Sequence, residues 1–229
     1  SNSKNSYCIV GFGHHAKTKL LPSLKKVNKN IFGIVTSKNY LNLETRIFKT
    51  LQDALSESVP GTYFVISSPP KEHFSQIKLI LESGRNVYVE KPIFVNLDEA
   101  KLINNFLKNK NLFVVEILMY KYTLQYQNFL RIWKKKKNKC KRIDCIFNIP
   151  EIPLNTFRDN HDIASSPLYD IGCYVLSLLV DLELSLSNLK ISNVSKKNKK
   201  YLQFCISAFF RQMEIYLEFG IGKKYRNLV

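Results

Sequence analysis

Apolar positions in the first half of the chain follow two alternating rhythms. Short runs at 7–10, 31–35, 62–66, 86–89 and 112–116 are rich in apolar, β-branched and aromatic residues, the composition of strands buried on both faces. Between them, apolar residues recur three and four apart. In 71–83, Phe74, Ile77, Ile80 and Leu81 share one helical stripe, and Gly84 follows where a left-handed cap is wanted. A second helix is predicted over 97–109, and another over 16–26 that Pro22 would end or kink. This alternation predicts an α/β domain: a parallel sheet with helices on both faces.

The second half has another rhythm. Residues 123–134 read as a helix, 134–142 as a basic loop, 143–148 as a strand and 167–180 as a helix containing Gly172. Strand-like segments at 189–194, 202–210 and 213–219 then follow with no helix between them. Consecutive strands predict a C-terminal α+β domain with an open, mostly antiparallel sheet. The change of rhythm near Leu118 divides the chain into domains 1–118 and 119–229.

Composition narrows the class. Of 229 residues, 45% are apolar and 23% charged, which supports a core and excludes wholesale disorder or a collagen-like chain. No apolar run is long enough to span a bilayer, and residues 1–6 lack the apolar stretch of a signal peptide, so a cytoplasmic protein without membrane association is expected. Cys8, Cys140, Cys145, Cys173 and Cys205 form no CxxC pair; reduced thiols and no metal site are expected. The net charge of +17 favours anionic partners, although Lys and Asn recur in nearly every polar segment, as in a biased composition. The runs Lys134-Lys135-Lys136-Lys137 and Lys196-Lys197-Asn198-Lys199-Lys200 contain no interleaved aromatics, so specific nucleic-acid binding is not expected.

The first strand runs into Gly11-Phe12-Gly13-His14-His15-Ala16. The first glycine permits a tight turn, the second lets the backbone approach a pyrophosphate, and Ala16 permits close helix–strand packing. An ordinary strand-to-helix turn is the alternative reading, but a place between the first strand and first helix suits dinucleotide binding. The second strand ends in Thr36-Ser37-Lys38 where an NAD site usually has Asp or Glu; a hydroxyl and a cation fit a 2′-phosphate, which predicts NADP, with NAD as the alternative. His14 and His15 are candidate contacts to cofactor phosphates. His73, at the start of its helix, reads as more structural than catalytic.

Three further stretches complete a pattern: Ser67-Ser68-Pro69-Pro70-Lys71-Glu72-His73, Glu90-Lys91-Pro92, and Leu168-Tyr169-Asp170-Ile171-Gly172-Cys173-Tyr174. With the glycine turn, these resemble the Gfo/Idh/MocA family of nicotinamide-dependent sugar oxidoreductases, in order along the chain. The Glu-Lys-Pro tripeptide at a strand end is the most specific element. The resemblance implies a Rossmann domain joined to a domain on a large open sheet. It implies that Lys91, with a cis Lys91–Pro92 bond, shuttles the proton of a sugar hydroxyl while hydride moves at carbon. It also implies cofactor contacts by Ser68, Pro69, His73, Glu90, Lys91 and Pro92. Asp170 and Tyr174, four apart on one helical face, would orient the substrate and act as acid/base; Tyr174 stands where many relatives have histidine. Packed-aromatic and helix-start roles are the plainer alternatives for these two. Tyr120, Tyr122, Asn155 and Arg158 are weaker candidates for sugar or phosphate contact. The implied activity is an NADP-dependent oxidoreductase acting on a sugar or nucleotide-sugar, as a homo-oligomer. Ala164-Ser165-Ser166-Pro167 replaces a glycine-rich run of the family, and relatives run longer, past this chain's open sheet. These departures motivate the alternative of a catalytically impaired dinucleotide-binding member.

Overall fold

In a computed structural model, which describes residues 5–40, 43–151, 166–197 and 200–229, the chain forms two compact units, Ser1–Ile117 and Leu118–Val229. The first is built on six parallel strands: β1 (Ser6–Val10), β2 (Asn30–Val35), β3 (Ile47–Phe48), β4 (Thr62–Ile66), β5 (Asn86–Glu90) and β6 (Val114–Ile117). Their order is β3-β2-β1-β4-β5-β6, so the sheet grows outward in both directions from the β1–β4 pair.

Alternate residues of these strands face two apolar layers. On one face Cys8, Val10, Phe64, Ile66, Val87 and Val89 pack with residues of α2 (Leu51–Glu57), α3 (Pro70–Glu82) and α4 (Leu97–Leu107). On the other, Ile9 and Ile34 pack with Ala16 and Leu21. The expected parallel sheet with helices on both faces is thus present.

The predicted helix over 16–26 is two pieces: a π-helical turn, Ala16–Leu20, and α1 (Leu21–Lys26). Pro22 does not end it. It sits in the first turn of α1, where a missing N–H costs no α-helical bond. β3 and α2 have no counterpart among the predicted elements. β3 has two residues, too few for a period, but α2 carries a legible start signal: Thr50 Oγ1 accepts the Asp53 N–H at 3.1 Å and donates to Asp53 Oδ2 at 2.6 Å.

The second unit opens with a 3-10 turn, Met119–Tyr122, and α5 (Leu124–Lys136). A five-stranded sheet follows, comprising β7 (Arg142–Ile149), β8 (Ser187–Lys197), β9 (Lys200–Phe210), β10 (Met213–Ile221) and β11 (Arg226–Leu228), in the order β11-β7-β10-β9-β8. β7 and β10 are parallel and the other pairs antiparallel. The sheet is therefore mixed and mostly antiparallel. One face, with Ile143, Cys145, Ile206, Ala208, Ile215, Leu217 and Phe219, packs against Val175, Leu178 and Leu179 of α7 (Gly172–Asp181) and against Tyr126 and Trp133 of α5.

Two readings of this half are corrected. The basic loop over 134–142 is helical as far as Lys136 and continues as a 3-10 turn, Lys137–Lys139; lysines suit a helix C-terminus, where the dipole is negative. The single helix over 167–180 is two, α6 (Pro167–Asp170) and α7, interrupted at Ile171. The next residue, Gly172, lies so close to the Phe219 ring that a Cβ there would stand 3.0 Å from it. Asp170 and Tyr174 consequently do not lie four apart on one continuous helix.

Candidate active site

Strand register aligns the carboxyl ends of the first sheet. Val10 pairs with both Val35 and Ile66, Ile66 with Val89, and Glu90 with Ile117. Gly11, Thr36, Ser67 and the Glu90-Lys91-Pro92 tripeptide therefore emerge along one edge. In doubly wound sheets, the crevice at this edge, where strand order reverses, holds the ligand.

The glycine turn forms one wall. Gly11 has φ +86°, and a Cβ on it would stand 2.6 Å from the Ser68 backbone nitrogen, so only glycine lets the β1 and β4 loops approach this closely. At Gly13 a Cβ would meet nothing within 4 Å. That open space beside bare backbone fits the close approach of a pyrophosphate. Phe12 is buried, and Tyr40 lies edge-on to it, donating its hydroxyl to the Phe12 carbonyl at 3.2 Å. Lys17 holds its ammonium 4.5 Å from the centre of the Tyr40 ring. At the end of β2, Thr36 Oγ1 accepts the Lys38 N–H at 3.3 Å, while Ser37 and Lys38 are exposed. Tyr40 and Lys17 thus join the neighbourhood of the predicted Thr36-Ser37-Lys38 group. Neither has a local sequence signal, because the contacts span 28 residues from Phe12 to Tyr40 and 23 from Lys17 to Tyr40.

The other wall is Glu90-Lys91-Pro92, with a cis Lys91–Pro92 bond. His15 Nε2 lies 2.9 Å from Glu90 Oε1, joining the glycine turn to the tripeptide. That hydrogen bond raises the His15 pKa above its usual 6.5, against partial burial and the nearby Lys91 and Lys19 ammonium groups. His14 is exposed. His73 is fully buried, its Nδ1 2.9 Å from the Pro92 carbonyl oxygen and its Nε2 3.0 Å from that of Ser68. Desolvation lowers its pKa below 6.5, although both carbonyls pull the other way. The ring has no surface to offer a cofactor, which corrects the expectation of a direct contact; it reaches the edge through Ser68 and Pro92. Ser68 also donates from Oγ to Gln76 Oε1 at 2.6 Å, and Gln76 Nε2 donates to Glu72 Oε2 at 3.2 Å. Glu116 of β6 accepts the Ile93 N–H at 2.9 Å. Gln76 and Glu116 escaped the sequence reading because such polar residues on a helix and a strand end carry no pattern.

In the second unit, Asp170 is buried, with its backbone N–H on the Ser166 carbonyl at 2.9 Å. Tyr174 packs its ring against Phe147, centroids 4.8 Å apart, and against Tyr120 at 5.8 Å. The Tyr120 hydroxyl pairs with Ser177 Oγ at 2.7 Å and donates to the Tyr174 carbonyl at 3.3 Å, and burial raises its pKa. Tyr122 is exposed. Asn155 and Arg158 lie outside the described residues. Among the described residues, no helix is long and apolar enough to cross a membrane.

A glycine turn at the switch point of a 3-2-1-4-5-6 parallel sheet, followed by a second unit on a mixed sheet, defines the class: a nucleotide-binding Rossmann protein with an appended sheet unit. The pattern of the Gfo/Idh/MocA oxidoreductase family, NAD-binding Rossmann fold, matches residues 6–117. The first unit thus carries that family's Rossmann domain. Oxidoreductase P35 of Formosa agariphila is 25% identical over 142 residues, an alignment covering 57% of this chain and 42% of that protein. The chain thus matches less than half the length of this curated relative. Among solved structures, a 3-ketoreductase from Actinomadura kijaniata in complex with NADP and TDP-benzene superposes with a TM-score of 0.80 at 16% identity, over 97% of this chain and 71% of that one. An NAD-binding protein from Listeria innocua does so with a TM-score of 0.78 at 17% identity, over 97% and 68%. At these identities the structures share the fold.

Proposed function

We propose that the protein is an NADP-dependent oxidoreductase moving a hydride between nicotinamide and the carbonyl or hydroxyl carbon of a sugar or nucleotide-sugar. The observation that carries this reading is the edge of the first sheet: Lys91 leaves β5 beside the Glu90 carboxylate that His15 joins to the glycine turn. When bound, the cofactor supplies or accepts the hydride. Gly11, Phe12, Gly13, His14, His15 and Ala16, with Ser68 and Pro69, hold its pyrophosphate. Thr36, Ser37 and Lys38 receive a 2′-phosphate, for which a hydroxyl and a cation are better partners than a carboxylate. Lys91 gives a proton to the substrate oxygen, or takes one from it, as the carbon changes oxidation state. Asp170 orients the substrate and Tyr174 assists the proton transfer, while Tyr120 acts through the backbone it supports. The likeness in fold to a 3-ketoreductase solved with NADP and TDP-benzene supports a nucleotide-sugar as substrate. The net charge of +17 suits a phosphorylated substrate. A homo-oligomer completes the proposal.

Thermal unfolding with NADPH, NADH and nucleotide-sugars tests it. Binding to the folded state at a hundred times Kd stabilises by about 2.7 kcal/mol, or roughly 5–10 °C in Tm for a chain of this size. NADPH should give the larger shift. No shift with either cofactor at millimolar concentration would refute the proposal.

A further inference from the structure

Lys91 stands at the start of an irregular stretch, since β5 ends at Glu90 and α4 begins at Leu97. The main chain just beyond it is nevertheless gripped by two side chains from different elements. From α3, the fully buried His73 ring sets Nδ1 2.9 Å from the Pro92 carbonyl oxygen. From β6, the Glu116 carboxylate takes the Ile93 N–H at 2.9 Å. The Ile93 and Phe94 side chains pack against the apolar layer under the sheet, so the loop is held by polar contacts and by burial.

We propose that His73 and Glu116 are positioning residues that set the place of Lys91 by clamping the two residues after it. An amide bonded to a carboxylate is held more firmly than one bonded to water or a neutral acceptor, because the acceptor is charged. His73 adds a second constraint. Its Nε2 lies 3.0 Å from the Ser68 carbonyl; the neutral ring donates to one of the two carbonyls and abuts the other, so one fully buried ring still sets the spacing between the β4 loop and the β5 loop. Ser68 is itself tied to α3 through Gln76, and Gln76 to Glu72. Gln76 lies four residues from Glu72 and three from His73 along α3, and these three side chains form a rack on which both loops hang. The role in reaction rests on the reading of Lys91 given above, whereas the clamp itself can be measured without substrate or cofactor.

The test compares Glu116→Leu, which removes the acceptor, with Glu116→Gln, which keeps an acceptor oxygen. Two quantities are read: hydrogen exchange at the Ile93 amide, and the rate at which trinitrobenzenesulfonate modifies Lys91 relative to exposed Lys38, followed by mass spectrometry. Glu116→Leu should speed Ile93 exchange by about 10–100-fold, the value of a hydrogen bond to a charged group. It should also change the Lys91-to-Lys38 ratio severalfold, and Glu116→Gln should restore the ratio. An unchanged ratio in folded Glu116→Leu protein, or no rescue by Gln, overturns the proposal. Should Glu116→Leu not fold, exchange in the unsubstituted protein decides: an Ile93 amide protected like those of β5 supports the clamp, and one exchanging like an open loop overturns it. Protection of Lys91 from the reagent by NADPH is read separately. Its absence counts against the cofactor reading and leaves the clamp standing.

Discussion

The two sheets place their polar side chains in opposite positions. In the first, the strand middles are apolar towards both layers; Ser6 and Thr62 pair at the amino ends at 2.8 Å, and the charged groups gather at the carboxyl ends, where Glu90, Lys91 and Glu116 stand with Thr36 and Ser68. In the second, one face carries the core and the other a polar network. There Asn148, fully buried, donates from Nδ2 to Glu218 Oε1 at 2.7 Å, and the Tyr216 hydroxyl donates to Glu218 Oε2 at 3.1 Å. Burial alone would push the Glu218 pKa up, but these donors and the cations Lys223 and Arg226 bring it below the usual 4.5. A sheet covered on both sides leaves function only its ends. A sheet with its core on one face can spread polar groups across the other, and no single edge then marks a site.

The most severe test of the edge is Lys91→Ala. Turnover of an accepted substrate should fall by about 10²–10⁴-fold, the usual value of a positioned proton-transfer group, with NADPH binding by fluorescence retained. Unchanged turnover would remove Lys91 from the chemistry. For the second sheet the comparable test is Phe219→Ala. Phe219 is fully buried, stacks on Phe204 at 5.4 Å and closes on Gly172. Its loss should cost about 3–5 kcal/mol in urea unfolding. A cost under about 1 kcal/mol would mean that this face is not a close-packed core.

The same contrast explains what could be read from the sequence. β1, β4, β5 and α3 were legible because buried parallel strands and an amphipathic helix have strong local periods. Gly11, Gly13 and Glu90-Lys91-Pro92 were legible because a backbone turn and a strand end need particular residues at particular places. β3 and β11 were not, since two or three residues carry no period. The break at Ile171 carries no local signal, and the close fit of Gly172 against Phe219 beside it is a contact across 47 residues. The same holds for Tyr40 beside Phe12 and Glu116 beneath Ile93. A histidine on a helix also gives no sign that both its nitrogens will meet backbone carbonyls, as those of His73 do.

Lys38→Asp probes a finer property of the edge, the choice between cofactors. Lys38 is exposed, so its attraction for a 2′-phosphate is screened and modest, and a carboxylate in its place adds repulsion of similar size. Together these should move the ratio of NADPH to NADH affinity by about tenfold towards NADH. An unchanged ratio would assign discrimination to other groups, with Lys17 over the Tyr40 ring the first to replace.

The smallest effect separates the two histidines of that edge, whose pKa values shift in opposite directions. His73 is lowered by burial, so the folded state binds less proton there than the unfolded chain. Its contribution to stability is complete above the unfolded value near 6.5 and is lost as pH falls below it. His15 is raised by its bond to Glu90, so its contribution is complete below 6.5 and is lost as pH rises through the folded value. Urea unfolding from pH 5 to 8 should therefore show an acid-side loss from His73 and a shallower alkaline-side loss from half-exposed His15. His15→Gln should flatten the alkaline limb and leave the acid limb unchanged. If it flattened the acid limb instead, the bond to Glu90 would not be what holds the His15 proton, and the link between the two walls of the crevice would have to be sought elsewhere.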